Sequence, residues 1–104
     1  MFNLYKEAKA IAQEAFEESG GDIELAREFV FATCDGHELA IYYGKAIEFC
    51  ASQNTGDGED WLEGCGGLIT EGDTFGSIAC RIAFATLLVA SETALREIED
   101  QRED

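Results

Sequence analysis

Residues 77–90 read SIACRIAFATLLVA and carry a single charged side chain, Arg81. Ala, Leu and Ile lose little conformational freedom in a helix, and the chain contains no proline. A cap at Asp73 or Thr74 predicts a helix that continues to about Asp100, which is roughly 40 Å at 1.5 Å per residue. Because the first half of this helix is apolar around most of its circumference, we expect it to lie at the centre of the fold.

Two amphipathic segments at the start of the chain have the spacing of helices that pack one face against such a centre. Asn3 can cap a helix over residues 4–19, which the two following glycines would end. Asp22 can cap a second helix that ends near Cys34, with apolar residues recurring on one face. Both segments are therefore predicted to be helical.

A third helix is predicted over residues 36–53. Asp35 and Glu38 have the spacing of a capping box, in which each side chain bonds the other residue's backbone amide. Tyr42 and Tyr43 lie in the middle of this helix, where neighbouring side chains point about 100° apart. We expect one tyrosine to face the core and the other to lie at its rim, with a contact to a partner as the alternative.

The segment from residue 54 to residue 73 differs from the rest of the chain. It contains six glycines and six acidic residues, but no Lys or Arg. We expect a loop with at most one or two helical turns, anchored to the core by Trp61 and Leu62. The sequence as a whole predicts one acidic all-α domain over residues 1–104, a compact bundle of four to five helices with a long C-terminal helix.

The net charge restricts the possible classes of binding partner more than any sequence motif does. There are 22 acidic residues against 7 Lys and Arg, which gives a formal charge of −15. Such a field repels nucleic acid and anionic membranes, and it favours a partner with a basic groove. Fifteen charges match those on roughly 25 Å of duplex DNA, at about one charge per 1.7 Å of helix axis.

Signals for chemistry or a membrane are weak. The four cysteines, at positions 34, 50, 65 and 80, lack the close pairing of zinc ligands, so we expect them to pack in the core. His37 is the only histidine, and no nucleophile is marked out beside it, so we expect no catalytic residue, cofactor or metal. No run of 18 apolar residues and no signal-peptide core is found, which predicts a soluble cytoplasmic protein.

Surplus apolar surface on the last helix suggests that the chain forms a homodimer. The residues expected to provide this surface are Ile82, Leu87, Leu88 and Val89.

The stretch IYYGKAIEFCAS at residues 41–52, preceded by GDIELAREF at residues 21–29, lies in a short acidic helical chain. In these features the chain resembles the small acidic anti-defence proteins of phages, namely the Ocr-like antirestriction proteins and the anti-CRISPR inhibitors. The resemblance implies a helical acidic dimer that imitates DNA in the basic groove of a restriction enzyme or a CRISPR complex.

We therefore expect a DNA-mimicking inhibitor that is not an enzyme and that competes for the basic surface of a host DNA-binding protein or nuclease complex. The alternative is an acidic interaction module, such as an antitoxin or regulatory adaptor, that binds through an apolar helix face. The carboxylates expected to contact the partner are those of Asp57, Glu59, Asp60, Glu63, Glu71, Asp73, Glu17, Glu18, Glu24 and Glu28.

Overall fold

The C-terminal segment forms one continuous helix of 28 residues in the computed structural model of the protein, which describes residues 3–52 and 75–102. Helices make up 89% of those residues, and no strand occurs among them. In chain order the helices are α1 (Leu4–Glu18), α2 (Ile23–Asp35), α3 (Glu38–Ile41), α4 (Tyr43–Ser52) and α5 (Phe75–Arg102). The predicted all-α bundle with a long C-terminal helix is confirmed, whereas the predicted anchors Trp61 and Leu62 lie outside the described residues.

Helix α5 is the centre of the fold, and each of the other four helices packs against it. Helices α1 and α2 form one apolar cluster with α5, built around the buried side chains of Val30, Leu87 and Leu95. Helices α3 and α4 form a second cluster with the preceding part of α5, around Leu39 and Phe49. The long helix therefore joins two small cores that lie along its length.

Alanine makes up half of the buried hydrophobic residues in the described ranges. A helix face of alanines lets its neighbour approach towards the short end of the usual 8–10 Å interaxial range. Each alanine buries little apolar surface by itself, so the core depends on close approach of the helices. Leu87 and Leu88 are buried in this core, so the predicted dimer surface is wrong for these two residues, while Ile82 and Val89 remain partly exposed.

The predicted third helix is divided in two at Tyr42. The backbone there is extended, with φ −97° and ψ 115°, although its amide bonds to Glu38 and its carbonyl accepts from Ala46. Isoleucine and tyrosine have low helix propensity, and Gly44 lowers it further, so an intact helix is weakly favoured at this point. The break turns both tyrosines outward, with Tyr42 59% exposed and Tyr43 54% exposed, so the prediction of one core tyrosine is wrong.

The predicted capping box is also wrong. Asp35 is the last residue of α2, and His37 caps α3 by accepting the amide of Leu39 at its Nδ1 atom, at 3.1 Å. The Nε2 atom of the same ring lies 3.2 Å from Oε1 of Glu7 on α1. Since Nδ1 accepts, the ring proton is on Nε2 and is donated to this carboxylate. His37 therefore fastens the start of α3 to α1.

Helix α5 also has the length and composition of a membrane-spanning segment. The stretch Gly76–Gln101 meets that test, and 56% of its most apolar window is buried inside the fold. The central helix of a globular protein passes the same test, and four helices cover α5 here. The structure is therefore a compact globule with one apolar core helix.

Gly76 on α5 packs directly against the tyrosine that begins α4. A Cβ atom added to Gly76 would lie 2.6 Å from Cγ and 2.8 Å from Cβ of Tyr43, atoms close to the backbone that cannot swing away. We predict that Gly76→Ala lowers the free energy of unfolding by about 1–3 kcal/mol, measured by urea denaturation.

Gly44 provides the matched control for that substitution. It lies in α4, and a Cβ atom there would meet nothing within 4 Å. Gly44→Ala should therefore raise the free energy of unfolding, by up to about 1 kcal/mol, because alanine is the better helix former. Equal effects of the two substitutions would contradict the close packing of α4 on α5.

Cys34 lies in the core with no exposed surface, and its Sγ donates to Oγ of the equally buried Ser91 at 3.8 Å. Burial raises the pKa of the Cys34 thiol to about 11, despite the lowering effect of the bond to Ser91. The neutral thiol is therefore favoured in the folded state.

This pKa shift makes stability depend on pH in the alkaline range. The neutral thiol contributes fully to the free energy of unfolding below pH 9.0, the pKa of a cysteine in the unfolded chain. That contribution is lost as the pH rises through the folded-state pKa of about 11. We predict that the stability difference between the wild type and Cys34→Ala shrinks by about 1 kcal/mol between pH 8 and pH 10, measured by urea unfolding. A difference that stays constant over this range would contradict the burial of a neutral thiol.

Candidate functional site

Four of the ten carboxylates predicted to contact a partner lie in the described part of the chain, and all four are exposed. They are Glu17, Glu18, Glu24 and Glu28. The other six lie outside the described residues: Asp57, Glu59, Asp60, Glu63, Glu71 and Asp73. The site can therefore be built only around the turn between α1 and α2.

That turn is specified by two glycines. Gly20 and Gly21 have φ values of 68° and 90°, a left-handed conformation that side chains with a Cβ rarely adopt. The amide of Gly21 bonds back to the carbonyl of Phe16 at 3.1 Å, which ends α1. The chain then reverses within residues 19–22, so the carboxylates that end α1 adjoin those that begin α2.

Asp22 fixes the start of α2 as predicted. Its Oδ1 atom accepts the amides of Glu24 and Leu25, at 3.1 and 3.3 Å. Glu24 and Glu28 are four residues apart, so they share a face of α2 and are separated by about 6 Å along the helix axis. We call the set Glu17, Glu18, Asp22, Glu24 and Glu28 the acidic corner.

The two ends of the acidic corner differ in their electrostatics. The N-terminus of α2 carries partial positive charge, which favours Asp22 and Glu24. The C-terminus of α1 carries partial negative charge, and no basic residue lies in its last turn. Glu17 and Glu18 are therefore placed where helix electrostatics disfavour them, at a cost of about 0.3–1 kcal/mol each.

Basic side chains lie among the other acids of the described surface. Arg96 lines a small cleft between α2 and α5 together with Glu92 and Glu99. Lys45 forms an exposed ion pair with Glu38, with 3.4 Å between Nζ and Oε2. Across residues 14–28, in contrast, six acidic residues accompany one arginine. The α1–α2 turn thus has the strongest local excess of negative charge in the described ranges.

A second exposed surface lies at the break between α3 and α4. Ile41, Tyr42 and Tyr43 follow one another in the chain and are each more than half exposed. We call these three residues the apolar patch. The sequence pattern placed Tyr42 and Tyr43 within one helix, with one ring facing the core and the other at its rim. The low helix propensity of Ile-Tyr-Tyr-Gly was the available signal for a break there.

No metal-binding cluster is formed by the His, Cys, Asp and Glu side chains of residues 3–52 and 75–102. His37 is used as a helix cap and as a partner of Glu7. Cys34 and Cys80 are buried, and burial raises the pKa of both thiols, which disfavours the thiolate form needed for nucleophilic attack. His37, Cys34 and Cys80 therefore have packing and capping roles in the described part of the chain.

Comparisons of the chain with family models, with curated proteins and with solved structures gave no match.

The unfavourable placement of Glu17 and Glu18 predicts a gain in stability when their charges are removed. We expect Glu17→Gln/Glu18→Gln to raise the free energy of unfolding by about 0.6–2 kcal/mol at low salt, measured by urea denaturation. Glu24→Gln is the control of opposite sign, because this glutamate lies at the favourable end of α2 and its neutralisation should lower stability. The same sign for both variants would contradict the dipole argument.

Proposed function

We propose that the chain is an inhibitor that uses its carboxylates in place of DNA phosphates on the basic surface of a nucleic-acid-binding protein. The acidic corner supplies part of this surface, and the six carboxylates of residues 57–73 supply the rest. The resemblance to phage anti-defence proteins makes a restriction enzyme or a CRISPR complex in the host cytoplasm the expected partner.

The observation that carries this proposal is the position of Glu17 and Glu18. Two exposed carboxylates at the negative end of a helix, with no basic residue in its last turn, reduce the stability of the fold. Residues that break a local rule of stability are expected where a protein binds or acts. Solubility would be served equally well by carboxylates at a helix N-terminus, where they stabilise.

The mechanism is competition, and no covalent bond is made or broken. A glutamate carboxylate accepts charge-assisted hydrogen bonds from Lys and Arg, as a phosphate does. The two-glycine turn and the Asp22 cap hold the backbone of the acidic corner in place, which limits the conformational entropy lost on binding. Because the attraction is between exposed charges, it weakens as salt rises.

The test is displacement of a labelled DNA duplex from a purified restriction enzyme and from a CRISPR surveillance complex, followed by fluorescence anisotropy. The wild-type chain should displace the duplex from one of them at 50 mM salt. Since the partner's cations are engaged by several carboxylates, Glu17→Lys/Glu18→Lys should weaken competition at least tenfold. The triple variant Asp57→Lys/Asp60→Lys/Glu63→Lys tests the contribution of the other segment in the same way.

The matched control is Glu38→Lys/Glu48→Lys, which changes the net charge equally at exposed residues away from the acidic corner. It should compete nearly as well as the wild type. Equal loss in both double variants would show that only total charge matters, and failure of the wild type to compete with DNA on either complex would overturn the proposal.

A second candidate function is favoured by the apolar patch. Exposed neighbouring aromatic side chains are enriched at protein interfaces, so the patch fits the alternative of an antitoxin or regulatory adaptor. In that case Ile41→Ser/Tyr42→Ser would abolish recovery of the partner from host lysate, and 300 mM salt would not. If the chain is the proposed inhibitor, 300 mM salt should abolish recovery of the partner, and Ile41→Ser/Tyr42→Ser should not.

A further inference from the structure

A cleft between α1 and α5 is not used by either function proposed above. Its volume is about 230 Å³, larger than the 150 Å³ cavity that is sufficient to hold benzene in another protein. Its walls are mostly apolar, with Leu4 and Ala8 on one side and Val89 and Ala90 on the other. The cleft therefore has room for one aromatic side chain.

The wall of the cleft contains a buried hydroxyl that lacks a partner. Thr86 is 3% exposed, and within the described ranges its Oγ1 atom makes no hydrogen bond. A buried polar group without a partner is costly, and native structures contain few. Threonine in a helix populates two side-chain rotamers, so a rotation about χ1 can turn this hydroxyl towards a group that enters the cleft.

The edge of the cleft presents a side chain of matching size. Tyr5 on α1 lines the cleft and yet is 65% exposed. A projecting ring and a cavity that share one face are what a two-fold symmetric interface requires, because each copy must offer both halves of the contact.

From this geometry we propose that two copies of the chain associate through their α1–α5 faces, with Tyr5 of each copy inserted into the cleft of the other. The inserted phenol hydroxyl pairs with the hydroxyl of Thr86, which satisfies both groups. This inference is independent of the proposed inhibitor function.

The charges around the cleft fit the same arrangement. The Nζ atom of Lys9 lies 5.9 Å from the centre of the Tyr5 ring, so this ammonium group accompanies the ring into the interface. Glu97 lines the cleft that receives the ring, which brings opposite charges together across the interface. Lys9 is the lysine of α1 that contacts a residue of this face, because its ammonium group lies over the Tyr5 ring.

The net charge of −15 on each chain opposes association over a longer range. Salt screens this repulsion, so the dimer should tighten between 50 and 300 mM NaCl. Inhibitor binding to a basic partner has the opposite salt dependence, which makes the two proposals separable.

Sedimentation equilibrium of the full chain at these two salt concentrations tests the inference. The wild type should dimerise, more strongly at the higher salt concentration. Tyr5→Ala should raise the dissociation constant at least tenfold, and Tyr5→Phe, which keeps the ring, should raise it less. Thr86→Val should also weaken the dimer, because it removes the hydrogen-bond partner and keeps the shape.

Tyr42→Ala is the matched control, because it removes an equally exposed tyrosine from the apolar patch and should leave the dissociation constant unchanged. Circular dichroism of each variant checks that the helices are retained. A wild type that stays monomeric at both salt concentrations, as expected if the cleft instead holds a small apolar molecule, would overturn the proposal. So would a Tyr5→Ala variant that dimerises like the wild type.

Discussion

The fold depends on one constraint, the burial of the apolar part of a 28-residue helix within a small chain. A helix that is apolar on several sides must be covered on several sides, and α5 contacts all four of the other helices. In the described ranges the covering helices contribute buried alanines, which permit close approach to α5. A change that separates the helices, such as a Cβ atom added at Gly76, therefore lowers the free energy of unfolding by more than its size suggests.

The same constraint determines where charge can lie. In the described ranges the long helix provides many of the buried apolar residues, and most of the acids are exposed on the outer faces and at the helix ends. At the α1–α2 turn, two glycines and an aspartate cap fix the backbone, while Glu17 and Glu18 oppose the dipole of the helix they end. Local interactions thus stabilise the backbone of the acidic corner, but they do not stabilise the charges of Glu17 and Glu18. Such a departure from local stability is expected where side chains serve binding.

Much of the fold was predictable because apolar residues recur regularly at helical spacing. The caps at Asn3 and Asp22, the end of α1 and the long last helix follow from local rules, and all are confirmed. The break at Tyr42 was missed because periodicity continues across it, and the His37 cap was missed because Asp35 and Glu38 fit a stronger pattern. Exposure of the four glutamates was predictable from the polar faces of α1 and α2, but the α1–α5 cleft depends on how distant helices meet.

Self-repulsion links the stability of the chain to the binding of its partners. A charge of −15 on 104 residues destabilises the compact state as well as any assembly of two chains. Screening by salt should therefore stabilise the monomer and tighten contacts between copies, while it weakens binding to a basic protein. If the chain acts as the proposed inhibitor, its basic partner supplies counter-charge directly, and binding relieves the repulsion between carboxylates of the isolated fold. The acidic corner, which gains nothing from its own helix, should gain the most from such a partner.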